Sequence, residues 1–141
     1  MTAPFQGGCR CGAIRYEVTA EPVVTVECHC RDCQYSSGTG HSIAVLVPAS
    51  AFRLLQGATN IHTTTAESGK AVHRHFCPDC GSPLFGDSGG PLWSIKAASL
   101  DDPSWLTIAA AVFTRSAQPW SHLDPNLPAF EAMPPMAPPK E

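Results

Sequence analysis

Residues 77–81 read Cys77-Pro78-Asp79-Cys80-Gly81, and this short stretch decides what holds the chain together. A CxxC turn aims two thiols at one point through a tight knuckle, and the glycine after Cys80 lets the backbone turn sharply. Far upstream, Cys9-Arg10-Cys11 forms a second pair. In an extended segment residues i and i+2 point to the same side, so both of its sulfurs lean toward one ion. Joined, the two pairs supply four thiolates, a closed tetrahedral site of the structural kind. Ligation by thiolates alone favours zinc over Mg²⁺, Ca²⁺ or Mn²⁺, and the split CxC and CxxC spacing departs from the ferredoxin runs that hold iron–sulfur clusters.

The remaining cysteines lie in Cys28-His29-Cys30-Arg31-Asp32-Cys33. Three thiolates so close together leave a tetrahedral ion one position for water or substrate, which is how catalytic zinc is usually held. A thioredoxin-like redox role for Cys30 and Cys33 would require a βαβ context that the sequence lacks. A fourth protein ligand closing the triplet is the rival reading, with His29, His41 or His75 as the cap. The same three histidines are the candidates for moving a proton, since imidazole titrates near neutral pH.

The rest of the composition narrows the setting. A chain of 141 residues and 15.0 kDa with 43% hydrophobic residues suits one domain with its own core. Nine Lys+Arg against twelve Asp+Glu gives a net charge of −3 without any basic run, so no nucleic-acid partner is expected. Seven cysteines cannot all pair as disulfides. Met1 to Gly8 carries neither a basic nor an apolar leader pattern, and no apolar run reaches the ~18 residues of a membrane span. A soluble, cytoplasmic protein with reduced thiols and no membrane partner is therefore expected.

Between recurrent turn signals lie segments of strand length: Ile14 to Val18, Val23 to Cys28, Ser42 to Val47, Phe52 to Gln56, Ile61 to Thr65, Ala71 to Phe76, Leu92 to Ala97 and Thr107 to Phe113. Ile14, Tyr16 and Val18 alternate with Arg15 and Glu17, and Val72, Arg74 and Phe76 with His73 and His75, as in half-buried strands. The fold class is therefore mostly β, with short strands and no amphipathic helix beyond about three turns. Breaks are expected at Glu21-Pro22, Gln56-Gly57, Ser68-Gly69, Gly86 to Pro91 and Asp101 to Pro103, and Gln34 to Gly40 as a Ser/Gly-rich loop beside the triplet. Residues 1–123 form the zinc-binding domain, and 124–141 a proline-rich tail docked in part through Leu127 and Phe130.

With their flanks, these motifs carry a family likeness. Gly7-Gly8 before Cys9, Gly12 and Arg15-Tyr16 after Cys11, Gln34 and Ser37-Gly38 after Cys33, and Phe76 and Ser82 around the CxxC turn resemble the glutathione-dependent formaldehyde-activating enzyme family, which also includes centromere protein V. The likeness runs from about Phe5 to Phe130, where Leu127-Pro128-Ala129-Phe130 is similar to the family's closing segment. It implies a single-domain β-tent fold of short antiparallel strands held by a structural zinc on Cys9, Cys11, Cys77 and Cys80. It further implies a second zinc on Cys28, Cys30 and Cys33, so two Zn²⁺ per chain. The implied activity is that of a carbon–sulfur lyase acting on an adduct of an aldehyde with glutathione or a similar small thiol. Two other readings of the residues stand beside it: a non-catalytic, zinc-stabilised binding module, and a zinc enzyme of another type such as a hydrolase.

Overall fold

A computed structural model of the chain describes residues 2–135; residues 136–141 of the expected tail lie outside the described part. Ten strands and one short helix follow in the order β1 (Phe5–Gly8), β2 (Arg15–Val18), β3 (Val24–Cys28), α1 (Arg31–Ser37), β4 (Ser42–Pro48), β5 (Phe52–Gln56), β6 (Asn60–Thr65), β7 (Ala71–Phe76), β8 (Pro83–Asp87), β9 (Leu92–Lys96) and β10 (Ala110–Val112). They make a three-stranded sheet, β1-β2-β5, and a seven-stranded sheet, β10-β3-β4-β9-β8-β7-β6. All pairs are antiparallel except β10 with β3, which run parallel in the register Ala110↔Val26 to Val112↔Cys28.

The main core lies between the sheets. Phe5, Tyr16 and Val18 from the small sheet, with Ile14 just before β2, meet Val45, Val47, Leu84, Phe85 and Ile95 from the large one, and Cys9 and Cys77 belong to the same cluster. Removing such side chains from water supplies the main favourable term of folding, at roughly 25 cal/mol per Å² of apolar surface. Tyr16 is fully buried, as the alternation of β2 requires, and its hydroxyl pairs with Ser99 Oγ at 2.6 Å. Gly7 has to be glycine here, because a Cβ on it would stand 2.3 Å from the Tyr16 hydroxyl and 2.4 Å from the Ser99 carbonyl.

The other face of β3 and β4 carries a second apolar cluster, Val26, Cys28, Ala44, Ala110 and Val112, against which Cys30 and Cys33 pack. The pleat of β4 sends Val45 and Val47 to the main core and Ala44 to this second cluster.

Several expectations need correction. β1 and β8 are strands that the sequence conceals: β1 is short with two glycines, and β8 starts on Pro83 and contains Gly86. β8 is a strand because β7 and β9 flank it with ladders on both sides. The break expected from Gly86 therefore starts only after Asp87. Thr107 to Phe113 shortens to β10. β7 shows no alternation in exposure, since Val72 to Phe76 are all half-buried. Residues 34–37 belong to α1, not to a loop. Cys30 caps this helix by accepting the Cys33 amide at 3.3 Å, Asp32 favours the first turn, and Gly38 ends it at φ 75°. Outside β10, at the edge of the seven-stranded sheet, Ala129 pairs with Ala111 in parallel, with Phe130 N donating to Ala111 O at 2.9 Å. Phe130 itself stays exposed.

Candidate functional site

The β1–β2 connection and the β7–β8 connection meet at the edge of the main core. Their four cysteines, Cys9, Cys11, Cys77 and Cys80, bring sulfurs within 4.8 Å of one another. Cys9 Sγ lies 3.6 Å from Cys11 Sγ, and Cys11 Sγ 3.8 Å from Cys77 Sγ. A tetrahedron with zinc–sulfur bonds of about 2.3 Å has sulfur–sulfur edges of about 3.8 Å, so the spacing is that of a four-thiolate zinc site. The local backbone is built to support thiolates. Cys77 Sγ accepts the amides of Asp79 and Cys80 at 3.4 and 3.5 Å, and Cys9 Sγ accepts that of Ile14 at 3.2 Å. Gly81 turns the knuckle at φ 76°, a left-handed conformation that side chains resist. Hydrogen bonds from the Ser82 hydroxyl, then from its backbone, pull the exposed Cys80 thiol down to about 5. These thiols can hold a zinc ion.

The triplet is assembled by strand end and helix start. Cys28 closes β3, Cys30 caps α1, and Cys33 lies in its first turn; their sulfurs also fall within 4.8 Å of one another. The buried side chain of Gln34 fixes this corner by donating to the carbonyls of His29 at 2.9 Å and Ser116 at 3.0 Å. Contacts from the Cys28 and Cys33 thiols drive Cys30 strongly toward the thiolate, while the same sharing and burial push Cys28 up.

Cys33 lies on the wall of a cavity of about 480 Å³ that also exposes Ser36, Ser42, Arg74, His75 and Lys96. Lys96 is half-buried at the end of β9, and its Nζ donates to Ser42 Oγ at 2.8 Å and Ser36 Oγ at 3.0 Å. Burial lowers its pKa, and the charge of Cys33 opposes that shift. His75 stacks on Phe85 with ring centroids 4.2 Å apart. Its Nδ1 pairs with Thr59 Oγ1 at 2.7 Å, and Nε2 stands 3.5 Å from Asp87 Oδ2. Burial lowers the His75 pKa against the pull of Asp87, which keeps the ring neutral near pH 7.

The three histidines singled out by sequence thus part company. His75 shares the cavity of Cys33. His29 and His41 group with Glu27 instead of with the sulfurs, because successive residues of an extended strand face opposite ways and His29, just past β3, is out of phase with Cys28. Lys96, Arg74 and Glu27 escape the sequence reading. The register Ala44↔Lys96 beside Cys28↔Ser42 brings the lysine over the triplet, and no spacing along the chain encodes that pairing. Glu27 does leave a trace, as the one charge inside the apolar run Val24-Thr25-Val26-Glu27-Cys28. Among the described residues no helix is long and apolar enough to cross a membrane.

Comparison with known proteins agrees with this architecture. The family model described as "Glutathione-dependent formaldehyde-activating enzyme" matches residues 4–116. Three relatives carry the name "Putative glutathione-dependent formaldehyde-activating enzyme". That of Penicillium rubens is 34% identical over 87 residues, covering 58% of this chain and 44% of the relative. That of Phaeosphaeria nodorum is 32% identical over 87 residues, covering 58% and 45%, and that of Halomonas elongata 30% over 85 residues, covering 57% and 54%. The chain spans about half the length of these curated relatives. A crystal structure of a Rhodobacter sphaeroides protein superposes with a TM-score of 0.56 at 19% identity, over 89% of this chain and 98% of the other, and shares the fold.

Proposed function

Since the chain belongs to the glutathione-dependent formaldehyde-activating enzyme family, we propose that it makes or breaks the carbon–sulfur bond of a thiol–aldehyde adduct in the cavity beside Cys28, Cys30 and Cys33. The observation that carries this reading is the arrangement of Cys33, Lys96, Arg74 and His75 around one cavity. In the proposal Cys9, Cys11, Cys77 and Cys80 hold a structural zinc, and Cys28, Cys30 and Cys33 a second one with a position left open. An ion at that position would bind a substrate thiol, lower its pKa and polarise the carbon–sulfur bond.

The chain's own side chains account for the rest. Lys96, pinned by Ser36 and Ser42, places a positive charge where a thiolate or a substrate carboxylate is to be held. Arg74 adds a second cation to the same wall, which suits an anionic, peptide-like thiol such as glutathione better than a neutral one. In the cleavage direction the adduct hydroxyl gives up its proton as the carbon–sulfur bond breaks, the carbonyl forms, and sulfur leaves as thiolate. His75, neutral and with Nδ1 engaged by Thr59, can take that proton on Nε2. Formation of the adduct runs the same steps backward. The apolar surfaces of Phe85, Ala44 and Leu46 limit water in the cavity.

Calorimetry of the zinc-loaded protein with glutathione, in buffers of different ionisation enthalpy, tests the reading. Binding should release a proton and tighten as pH rises toward the thiol's own pKa, and Cys33→Ser should abolish it. A wild-type protein that binds no thiol, or binds it without proton release, overturns the proposal.

A further inference from the structure

The face of β3 turned away from the triplet carries three polar side chains in a row: Thr25, Glu27 and His29, which are 4%, 8% and 0% exposed. An apolar face would cost nothing to bury, so this row calls for a reason. Glu27 Oε1 pairs with His29 Nε2 at 3.0 Å, and His41 leans over them with its ring centroid 5.1 Å from that of His29. Potential donor atoms of Glu27, His29 and His41 all lie within 4.8 Å of one another. The Nδ1 atoms of His29 and His41 are both buried, and neither has a hydrogen-bond partner.

A plain Glu27–His29 pair explains one contact and leaves His41 Nδ1, beside it, without a partner. We propose instead that Glu27, His29 and His41 form a further metal site, for a divalent first-row transition ion. Two imidazoles and one carboxylate are a donor set for zinc, iron, cobalt or nickel and not for the harder Mg²⁺ and Ca²⁺. Bonds of about 2.0–2.2 Å put neighbouring donors about 3.0–3.6 Å apart, so the Glu27–His29 spacing already fits. The donors lie within 4.8 Å of one another, so side-chain rotation has to close at most about 1–2 Å on the same geometry.

Access is also provided. Of the three residues His41 lines a second cavity, of about 770 Å³, with Ile43, Leu106 and Ile108 among its walls and Ser36, Ser42 and Lys96 at the side shared with the Cys33 cavity. Three protein donors leave at least one position for water or a small ligand. The site shares no ligand with either cysteine group and goes beyond the thiol–aldehyde reading. Its donors are harder than thiolates, so zinc fills the cysteines first and this site takes an ion last.

The test uses the full chain with its cysteine sites loaded with zinc, titrated with Co²⁺. One cobalt per chain is expected beyond the zinc already bound. It should show weak visible d–d bands, no near-ultraviolet thiolate charge-transfer band, and no release of zinc. His41→Ala should lose this cobalt while its zinc content and circular dichroism stay unchanged, and Glu27→Gln should weaken cobalt binding at least ~10-fold. His41→Asn serves the same comparison if the alanine variant does not fold. A wild-type titration without the additional equivalent overturns the site. So does cobalt held equally by the His41 variants, or a thiolate signature on the added ion.

Discussion

Replacing Cys77 by serine tests directly whether the four-thiolate group holds the two sheets together. Cys77 is fully buried in the main core, and its sulfur lies 3.8 Å from that of Cys11, which is 66 residues away in the chain. Serine is neutral at working pH and does not replace a thiolate, so an ion held there would keep three donors and the link between the β1–β2 and β7–β8 connections would be weakened. Zinc contributes roughly 10–16 kcal/mol in small structural sites. A chain of 141 residues at ~0.05–0.15 kcal/mol per residue has a total stability of about 7–21 kcal/mol. Losing a third of the metal contribution removes ~3–5 kcal/mol, and at ~3 °C per kcal/mol for a domain of this size Tm drops by ~10–16 °C. Cys33→Ser should behave differently. Its group is built from one strand end and one helix turn, α1 keeps the Cys30 cap, and the main core is untouched, so Tm should stay within ~3 °C of wild type. Thermal melts followed by circular dichroism, with metal content measured on the same samples, give both numbers. Equal melting of the two variants, or a Cys77→Ser protein that melts within a few degrees of wild type, would refute the division into a structural and a functional group.

Two further outcomes follow from the buried polar groups. Burial pushes the Tyr16 pKa well above that of a free phenol, so the stability gained by keeping it neutral is complete below pH ~10 and is lost as pH rises through the folded value. Tm should therefore fall above pH ~10, and Tyr16→Phe should flatten that fall although it removes the Ser99 hydrogen bond, a cost of ~1 kcal/mol at neutral pH. An unchanged alkaline slope would show that other groups set it. Lys96→Met keeps the length of the side chain and removes its charge; glutathione affinity should drop ~10-fold, about 1.4 kcal/mol, with zinc content unchanged. Undiminished calorimetric affinity would leave Lys96 without a part in thiol binding.

How much of this was legible in the sequence depends on the range over which each signal acts. Strands such as β2 announce themselves, since Ile14, Tyr16 and Val18 alternate with polar neighbours and the pleat needs nothing else. The cysteine groups are legible for a related reason: CxC and CxxC are local devices that aim sulfurs whatever surrounds them. β8 was hidden because Pro83 and Gly86 argue against a strand, and only the ladders with β7 and β9 overrule them. α1 was hidden because seven residues are too few to display an apolar stripe, while its caps, Cys30 and Gly38, are residues that also mark loops. Lys96 and Arg74 depend on strand register, which sets neighbours far apart in the chain, and no one-dimensional pattern records it.

β3 shows how that limit shapes the chemistry. Read along the chain, Glu27-Cys28-His29-Cys30 looks like one cluster of ligands. Pairing with β4 on one side and β10 on the other fixes the pleat, and successive residues then serve different sites. Cys28 turns toward the second apolar cluster and the thiolate triplet, while Glu27 and His29 turn toward the face that His41 reaches. A one-residue slip of β3 would exchange the faces of all these side chains and place a carboxylate and an imidazole where soft sulfur donors are required. The parallel pairing of β10 with β3, reinforced by the Ala111–Ala129 bridge beyond it, therefore does more than extend a sheet. By clamping the register of one five-residue strand from both sides, it keeps a soft donor set and a harder one apart across the thickness of a single backbone.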